Sequence, residues 1–305
     1  MLNLNRLSVV TKSLNITEKM VLGTAQFGMD YGIANINGKP KKKEVFDILD
    51  LAWKKGIRRF DSAPGYGSEA LLGEFITANG IQDEAIVLTK IPSLYGVSDF
   101  QTDIITNLES SLKNLGCPID VLFFHNPVDS GLLLSDLQFF ETLLNDYPVS
   151  TLGVSVYETK EVESLSGCQF ELAFQFPFNV LDRRFEQVSM PQRKRFARSV
   201  FLQGLLASTN DLRLDAPVKL LNLQKEYHDR LAKHHLKAVG FAVSFVANND
   251  AVDYFLFGVD TEKQLQDILD LEPYEPNDIS ISDALMEKTA EKWLDPRKWY
   301  GAKNE

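Results

Sequence analysis

Short apolar runs alternate along this chain with longer stretches in which apolar residues recur at helical spacing. Val45, Ile48, Leu49 and Ala52, for example, mark one face of a helix that Gly56 is expected to end. The apolar runs predict strands at 20–23, 57–61, 86–90, 119–124, 150–156, 170–176, 199–202 and 252–257. The stretches between them predict helices at 70–77, 100–115, 135–145, 159–165, 182–195, 218–246 (broken near residue 236) and 262–269.

A strand followed by a helix, repeated eight times, predicts a parallel sheet, because parallel strands need crossover connections. Units of this length favour a closed (β/α)8 barrel, the TIM barrel, over an open doubly wound sheet. No Gly-x-Gly-x-x-Gly follows an early strand, so the usual dinucleotide fingerprint is missing. We predict one domain over 1–305, with the barrel at about 19–270 and a proline-containing C-terminal extension at about 271–305.

The composition narrows the possible partners. The 305 residues are 44% apolar and 24% charged, which is typical of a globular protein, and the net charge of −10 argues against nucleic acid or an anionic membrane as a partner. Cys117 and Cys168 are too few for a disulfide scaffold or a zinc site, and we expect no metal. No apolar run could cross a membrane, and residues 1–19 lack a signal-peptide core, so a cytoplasmic protein is expected.

Titratable residues follow three consecutive predicted strands. Asp61 ends the second strand and Tyr66 lies in the loop after it, Lys90 ends the third, and His125 follows the fourth. Taken singly, each has a structural interpretation. Asp61 could cap a helix, Tyr66 could pack in its loop, Lys90 could extend into solvent, and His125 could be a core histidine. Because the carboxyl ends of barrel strands converge on one cavity, the four together predict an active site.

These residue types suit the reduction of a carbonyl group, which needs a proton as hydride arrives. Tyr66 can supply the proton, but a free phenol with a pKa near 10 is a poor acid at neutral pH. Lys90, held by Asp61, would lower that pKa, because a nearby ammonium favours the phenolate. His125 could hydrogen-bond the carbonyl oxygen and orient the substrate.

The motifs around these residues resemble those of the aldo-keto reductases. The segments concerned are LGTAQFG at 22–28, FDSAPGYG at 60–67, LTK at 88–90 and DVLFFH at 120–125. The similarity runs in the same order from about residue 20 to 270. It implies an NAD(P)H-dependent oxidoreductase that reduces an aldehyde or ketone, with Asp61, Tyr66, Lys90 and His125 as its catalytic tetrad.

The same resemblance implies residues for the nicotinamide end of a cofactor. GVS at 153–155 is similar to the family's Gly-x-Ser-Asn segment, but Val156 replaces the Asn. RSVFLQGLL at 198–206 is similar to the family's Tyr-Ser-Pro-Leu segment, so Arg198 stands where an aromatic ring usually stacks on the nicotinamide. The cofactor-binding residues implied by the first, fifth, sixth and seventh units are Gly23, Thr24, Ser155, Gln175, Arg198, Ser199 and Phe201.

The last unit, FGVDTEKQL at 257–265, resembles the segment that holds the adenosine end. Gly258, Asp260, Thr261 and Gln264 are the residues implied here. Typical members carry basic residues for the 2′-phosphate of NADPH, whereas a carboxylate suits the free ribose hydroxyl of NADH. The cofactor is therefore expected to be NADPH or NADH, with NADH used at least comparably.

Two other functions fit parts of the pattern. A nicotinamide-binding regulatory or sensor protein of the same fold would need no lysine-tuned phenol, so the tetrad favours the enzyme. A lyase or isomerase with Lys90 as a Schiff base would need a lysine away from carboxylates. The expected partner is a small carbonyl compound. Tyr31, Asn35 and Asn37 in the 28–40 loop are compatible with a sugar, or with an ordinary surface loop.

Overall fold

A computed structural model of the chain describes residues 16–36, 38–190, 193–208, 212, 215–271, 279–286 and 289–299. Most of the predicted polar N-terminus, together with Asn37 and residues 272–278 of the predicted extension, lies outside these ranges. None of the helices within them is both long and apolar enough to cross a membrane.

Eight parallel strands close into one barrel in chain order, with β1 paired to both β2 and β8. This confirms the predicted (β/α)8 TIM-barrel architecture. The strands are β1 Met20–Gly23, β2 Arg59–Asp61, β3 Ile86–Ile91, β4 Ile119–Phe124, β5 Val149–Ser155, β6 Ala173–Pro177, β7 Lys194–Arg198 and β8 Tyr254–Phe257.

Helices cover the outside of the barrel, and short ones lie at its rim. They are α1 Ile16–Lys19, α2 Ala25–Gly28, α3 Lys42–Lys54, α4 Glu69–Asn79, α5 Phe100–Leu115, α6 Leu132–Ser135, α7 Leu137–Asp146, α8 Thr159–Glu163, α9 Val218–Lys233, α10 Ala238–Ala247, α11 Glu262–Leu269 and α12 Ile279–Met286. Short 3-10 turns add Pro64–Tyr66, Pro127–Gly131, Glu291–Trp293 and Pro296–Lys298.

Alternate strand positions point into the barrel and fill it. The residues of this small cluster are Val21, Leu88, Val121, Phe123, Ala173, Phe196 and Leu256. Gly153 makes room for one of these side chains, because a Cβ there would lie 2.6 Å from the ring of Phe123. The intervening positions, such as Leu122 and Phe124, pack against the helices in the main core.

Several predicted stops and breaks are confirmed. Gly56 and Gly116 follow α3 and α5 with φ of +93° and +65°, a conformation that costs glycine little. The predicted long helix at 218–246 is two helices, α9 and α10, separated by a turn in which His235 has φ +56°.

The prediction was wrong between β6 and β7. The described residues 182–190 and 193–195 form no helix. The Asn179 side chain caps a tight turn at the start of this segment by accepting hydrogen bonds from the backbone N–H groups of Leu181 and Asp182. The seventh strand is Lys194–Arg198 rather than 199–202. Ser199, Leu202 and Gln203 all have positive φ, so this apolar run forms a buried loop instead of a strand.

Candidate active site

Asp61 and Lys90 form a buried ion pair under the carboxyl-terminal mouth of the barrel. Their strands β2 and β3 are neighbours, which brings Lys90 Nζ to 2.8 and 2.9 Å from the two carboxylate oxygens of Asp61. Lys90 donates its third hydrogen bond to the carbonyl of Ser62 at 2.8 Å. Burial lowers the pKa of Lys90, but Asp61 and Tyr66 outweigh it and hold the pKa above its usual value. The lysine is therefore a fixed cation.

Tyr66 lies directly above this pair, at the end of the 3-10 turn Pro64–Tyr66. The Lys90 ammonium is 4.9 Å from the centre of the phenol ring. Burial raises the pKa of Tyr66, Lys90 pulls it down, and the net result is a pKa above the usual value. The predicted influence of Lys90 is thus present, but it moderates the effect of burial rather than making the phenol a strong acid.

His125 faces Tyr66 from the end of β4. The two rings meet edge to face, with 6.1 Å between centroids and 89° between planes. Burial, followed by the positive charges of Lys90 and Arg198, lowers the pKa of His125 to about 4. The imidazole is therefore neutral at physiological pH, which suits a group that orients a carbonyl oxygen.

These residues border a cavity of about 770 Å³, a volume within the range of small-molecule sites. Asp61, Tyr66 and His125 line it, whereas Lys90 lies beneath it and acts through its neighbours. Of the residues predicted for the cofactor, the cavity is lined by Gly23, Thr24, Ser155, Gln175, Arg198, Ser199, Phe201, Gly258, Asp260 and Gln264. Thr261 is not among the lining residues, and its hydroxyl instead accepts a hydrogen bond from the backbone N–H of Gln264, capping α11.

At the predicted nicotinamide end, the polar side chains have different partners. Gln175 donates to Asp61 Oδ2 at 2.8 Å, so it also holds the ion pair in place. Ser155 is buried, and its hydroxyl has no hydrogen-bond partner among the described residues. The Arg198 guanidinium packs on the ring of Tyr157, 4.0 Å from its centroid, and donates to the carbonyl of Val156 at 3.1 Å.

The predicted adenosine end is acidic. Asp260 accepts a hydrogen bond from Asn35 Nδ2 at 3.3 Å, which connects the loop after β8 to the loop after β1. Burial, and then the nearby charge of Asp30, keep the pKa of Asp260 above its usual value even though Gln264 opposes this. Lys263, the one lysine of this segment, is directed to Asp267 at 2.8 Å on the surface.

Tyr157, Gln203 and Arg297 are among the residues of the cavity wall that sequence reasoning missed. Tyr157 comes two residues after Ser155, so its position just beyond β5 was the available signal. Gln203 lies in the loop that was taken for a strand. Arg297 comes from the far end of the chain, where no strand-end rule applies.

Within the described ranges, no group of three His, Cys, Asp or Glu residues could hold a metal ion. The site consists of a neutral histidine, a protonated phenol and a buried ion pair on the floor of one cavity.

Known proteins are similar to this chain in sequence. The model of the aldo/keto reductase family matches residues 19–287. Over 260 residues the chain is 24% identical to the aldo-keto reductase YhdN of Bacillus subtilis, covering 75% of this chain and 78% of that protein. It is 26% identical over 253 residues to D-threo-aldose 1-dehydrogenase of a Pseudomonas species, covering 69% and 76%.

Among solved structures, the glycerol dehydrogenase of Gluconobacter oxydans is similar in fold. The TM-score is 0.69, and the match covers 91% of this chain and 94% of that one. The sequence identity is 22%, so this similarity concerns the fold alone.

Proposed function

This chain belongs to the aldo/keto reductase family and is an oxidoreductase, and we propose that it reduces an aldehyde or ketone to the alcohol with Tyr66 as the proton donor. The observation that carries the proposal is the Asp61–Lys90 ion pair directly under the Tyr66 ring, at 4.9 Å, on the floor of a ligand-sized cavity. A protein that only bound a nucleotide would have no use for a phenol coupled to a buried ammonium.

Members of this family use nicotinamide cofactors, and the residues present fit one. The supporting observation is the buried Ser155 hydroxyl, which lines the cavity without a protein partner in the described chain and could therefore bind the nicotinamide amide. Gln175 is proposed for the same group, with its carbonyl oxygen, because its amide N–H already binds Asp61. Asp260 is proposed to accept the ribose hydroxyl of NADH.

A bound nicotinamide would supply the hydride. As the new C–H bond forms at the carbonyl carbon, negative charge develops on the carbonyl oxygen. Tyr66 transfers its proton to that oxygen, and its O–H bond breaks as the alcohol O–H forms. The resulting phenolate is stabilised by the Lys90 ammonium, which Asp61 holds in position, until a proton from solvent restores the phenol.

His125 is proposed to bind the same carbonyl oxygen. Because its pKa is lowered to about 4, it is a neutral imidazole at physiological pH and donates a hydrogen bond without competing as an acid. Tyr66 and His125 then contact one oxygen from two sides, since their rings are perpendicular and 6.1 Å apart. This arrangement fixes the substrate and leaves the acid role to Tyr66.

The direct experiment is to follow oxidation of NADH and NADPH by the purified chain with a panel of aldehydes and ketones, in parallel with equilibrium titration of both cofactors. We expect binding together with carbonyl-dependent oxidation. Tight cofactor binding with no oxidation by any carbonyl would contradict the enzymatic proposal and favour the sensor alternative.

A further inference from the structure

Arg198 is a cation without a counter-charge among the described residues. No carboxylate in the described part of the chain lies within ion-pair distance of it, and its buried Nε–H has no acceptor there. Its other contacts are the ring of Tyr157, the carbonyl oxygen of Val156 and a long hydrogen bond of 3.3 Å to the Ser199 hydroxyl. A desolvated guanidinium in this state is costly, so the cavity wall lacks a negative partner at this point.

A second guanidinium contacts the same aromatic ring. Arg297 packs against Tyr157 at 3.2 Å from its centroid, so both arginines rest on one phenol at the cavity wall. Asp295, itself buried, holds Arg297 in place through Nε at 2.9 Å and Nη2 at 2.7 Å. This leaves Nη1 of Arg297 available.

Tyr31 adds a neutral donor next to Arg198. It lines the same cavity and hydrogen-bonds Gln203. Although 37% of Tyr31 is exposed, desolvation of its hydroxyl, followed by the proximity of Tyr66, raises its pKa to about 12, so this phenol keeps its proton. Two guanidinium groups and a protonated phenol together offer donors in the arrangement that carboxylate and phosphate oxygens accept.

From this juxtaposition we infer that the carbonyl substrate carries an anionic group, a carboxylate or a phosphate, which Arg198, Arg297 and Tyr31 bind while Tyr66 and His125 hold the carbonyl oxygen. The substrate class is therefore a short oxoacid or a phosphorylated aldehyde or ketone. The inference rests on the proposed carbonyl reduction. Arg198, Tyr66 and His125 line the same cavity of about 770 Å³, so one small molecule could contact all three.

The test compares pairs of substrates in which only one member carries an anionic group. One pair is 4-oxobutanoate and butanal, and the other is glyceraldehyde 3-phosphate and glyceraldehyde. For the wild type we expect kcat/KM to favour the anionic member of at least one pair by about tenfold or more, mainly through KM, as for one charged hydrogen bond. The pair that shows the preference distinguishes a carboxylate from a phosphate.

Arg297→Met should reduce this anionic preference about tenfold. Lys298→Met is the matched control, because it removes the same charge one residue away, where the side chain contacts Asp295 but does not line the cavity. The control should keep the wild-type preference. If Arg297→Met fails to fold, the substrate preference of the wild type still tests the inference. A wild type that does not prefer the anionic member of either pair overturns it.

Two further measurements separate the possible failures. Calorimetric titration of succinate and of inorganic phosphate needs no turnover. If no carbonyl is reduced, but one of these anions binds and Arg198→Met weakens its binding, the proposed function fails and the anion site stands.

Titration of NADH tests whether the arginines bind the negative charges of the cofactor instead of those of a substrate. If Arg198→Met and Arg297→Met weaken NADH binding as much as they reduce the anionic preference, the arginines serve the cofactor and the inference is wrong.

Discussion

The charges of the Asp61–Lys90 pair are held by a fixed set of hydrogen bonds. Lys90 donates to Asp61 and to the Ser62 carbonyl, while Gln175 donates to the same carboxylate from β6. A buried pair with each donor and acceptor occupied is rigid, and removing one partner costs about 3–5 kcal/mol. The lysine can therefore stabilise a transient phenolate without rearrangement.

Lys90→Met should slow carbonyl reduction and change its pH dependence. The Tyr66 pKa is already raised by burial, and Lys90 is the group that opposes this rise. Without it the pKa rises further, so the phenol is a weaker acid and its deprotonation, which ends activity at alkaline pH, moves to higher pH. The measurement is the pH profile of kcat/KM for the wild type and the variant.

An unpaired Asp61 would also destabilise Lys90→Met, so the double variant Asp61→Asn/Lys90→Met serves as its control. It removes both charges, and we expect it to be more stable than the single variant. Its alkaline shift should be smaller than that of the single variant, because Asp61 itself raises the pKa of Tyr66. Unchanged pH profiles in both proteins would mean that the pair is only structural.

The four tetrad residues could be predicted from sequence because each lies at or just beyond the end of a recognisable strand. Tyr31 could be placed only in a loop able to cover the mouth, and Arg297 could not be predicted, since its path to the barrel mouth depends on tertiary packing. The net direction of the Tyr66 pKa was also not predictable, because it depends on how deeply the phenol is buried.

At the scale of elements, the turn that carries Tyr66 packs against the short helix α2. Gly28, the last residue of α2, has no room for a side chain: a Cβ would overlap the carbonyl oxygen of Tyr66 and lie 2.7 Å from the carbonyl carbon of Gly67. The obstructing atoms are backbone, so they cannot move without moving the turn. Close packing of two backbones thus fixes the position of Tyr66, the proposed proton donor.

Gly28→Ala should therefore displace the 3-10 turn and lower kcat more than it affects cofactor binding, with a stability cost of about 1–3 kcal/mol for overpacking. Gly131→Ala is the control, because that glycine has ordinary helical angles and no atom near a new Cβ. Steady-state kinetics and denaturant unfolding of both variants test this. Wild-type kcat in Gly28→Ala would show that the contact does not hold Tyr66.

The loops after β1 and β8 meet through the hydrogen bond between Asn35 and Asp260. We expect Asp260 in this contact to determine the preference between NADH and NADPH. Asp260→Lys should shift the ratio of dissociation constants toward NADPH by about ten- to a hundredfold, the range for one charged hydrogen bond. Asp270→Lys makes the same charge change at the exposed far end of α11 and should leave the ratio unchanged. A wild type that binds NADPH more than about tenfold tighter than NADH would contradict the assignment of this loop.

Sequence periodicity failed at β7 because only Phe196 and Ala197 of that strand are buried, between charged neighbours. The more apolar run after it looked like a better strand, yet its positive φ values make it a loop. The spacing and hydrophobicity of residues do not reveal where the backbone adopts positive φ. For this reason the seventh strand was predicted too late in the sequence, and a helix was predicted before it.

At the scale of the whole molecule, the barrel was predictable because eight strand–helix units leave few ways to bury an apolar sheet. The packing of the C-terminal segment was not predictable in this way. Trp299, fully buried, and α12 belong to a second apolar cluster with α9 and α10, outside the barrel. This cluster brings the C-terminal segment with Arg297 back to the mouth, next to residues from the first loop.

The chain carries a net charge of −10, yet the catalytic end of its cavity is positive. Asp61 is neutralised by Lys90, and Arg198 has no ion-pair partner among the described residues. The overall charge therefore argues against polyanionic partners, but it does not determine what the site binds. A small anion in the cavity would interact mainly with the charges nearby. The fold thus places Lys90 and Arg198 near the point where negative charge develops in the proposed reaction.

The role of Tyr66 as proton donor is tested most directly by Tyr66→Phe, which removes one hydroxyl and keeps the ring. Tyr95→Phe is the matched control, since Tyr95 is 94% exposed on the loop after β3. The measurement is single-turnover carbonyl reduction together with cofactor titration. We predict that Tyr66→Phe binds cofactor like the wild type and reduces carbonyls about 100-fold more slowly or worse, while Tyr95→Phe matches the wild type. Turnover by Tyr66→Phe at the wild-type rate would contradict the assignment.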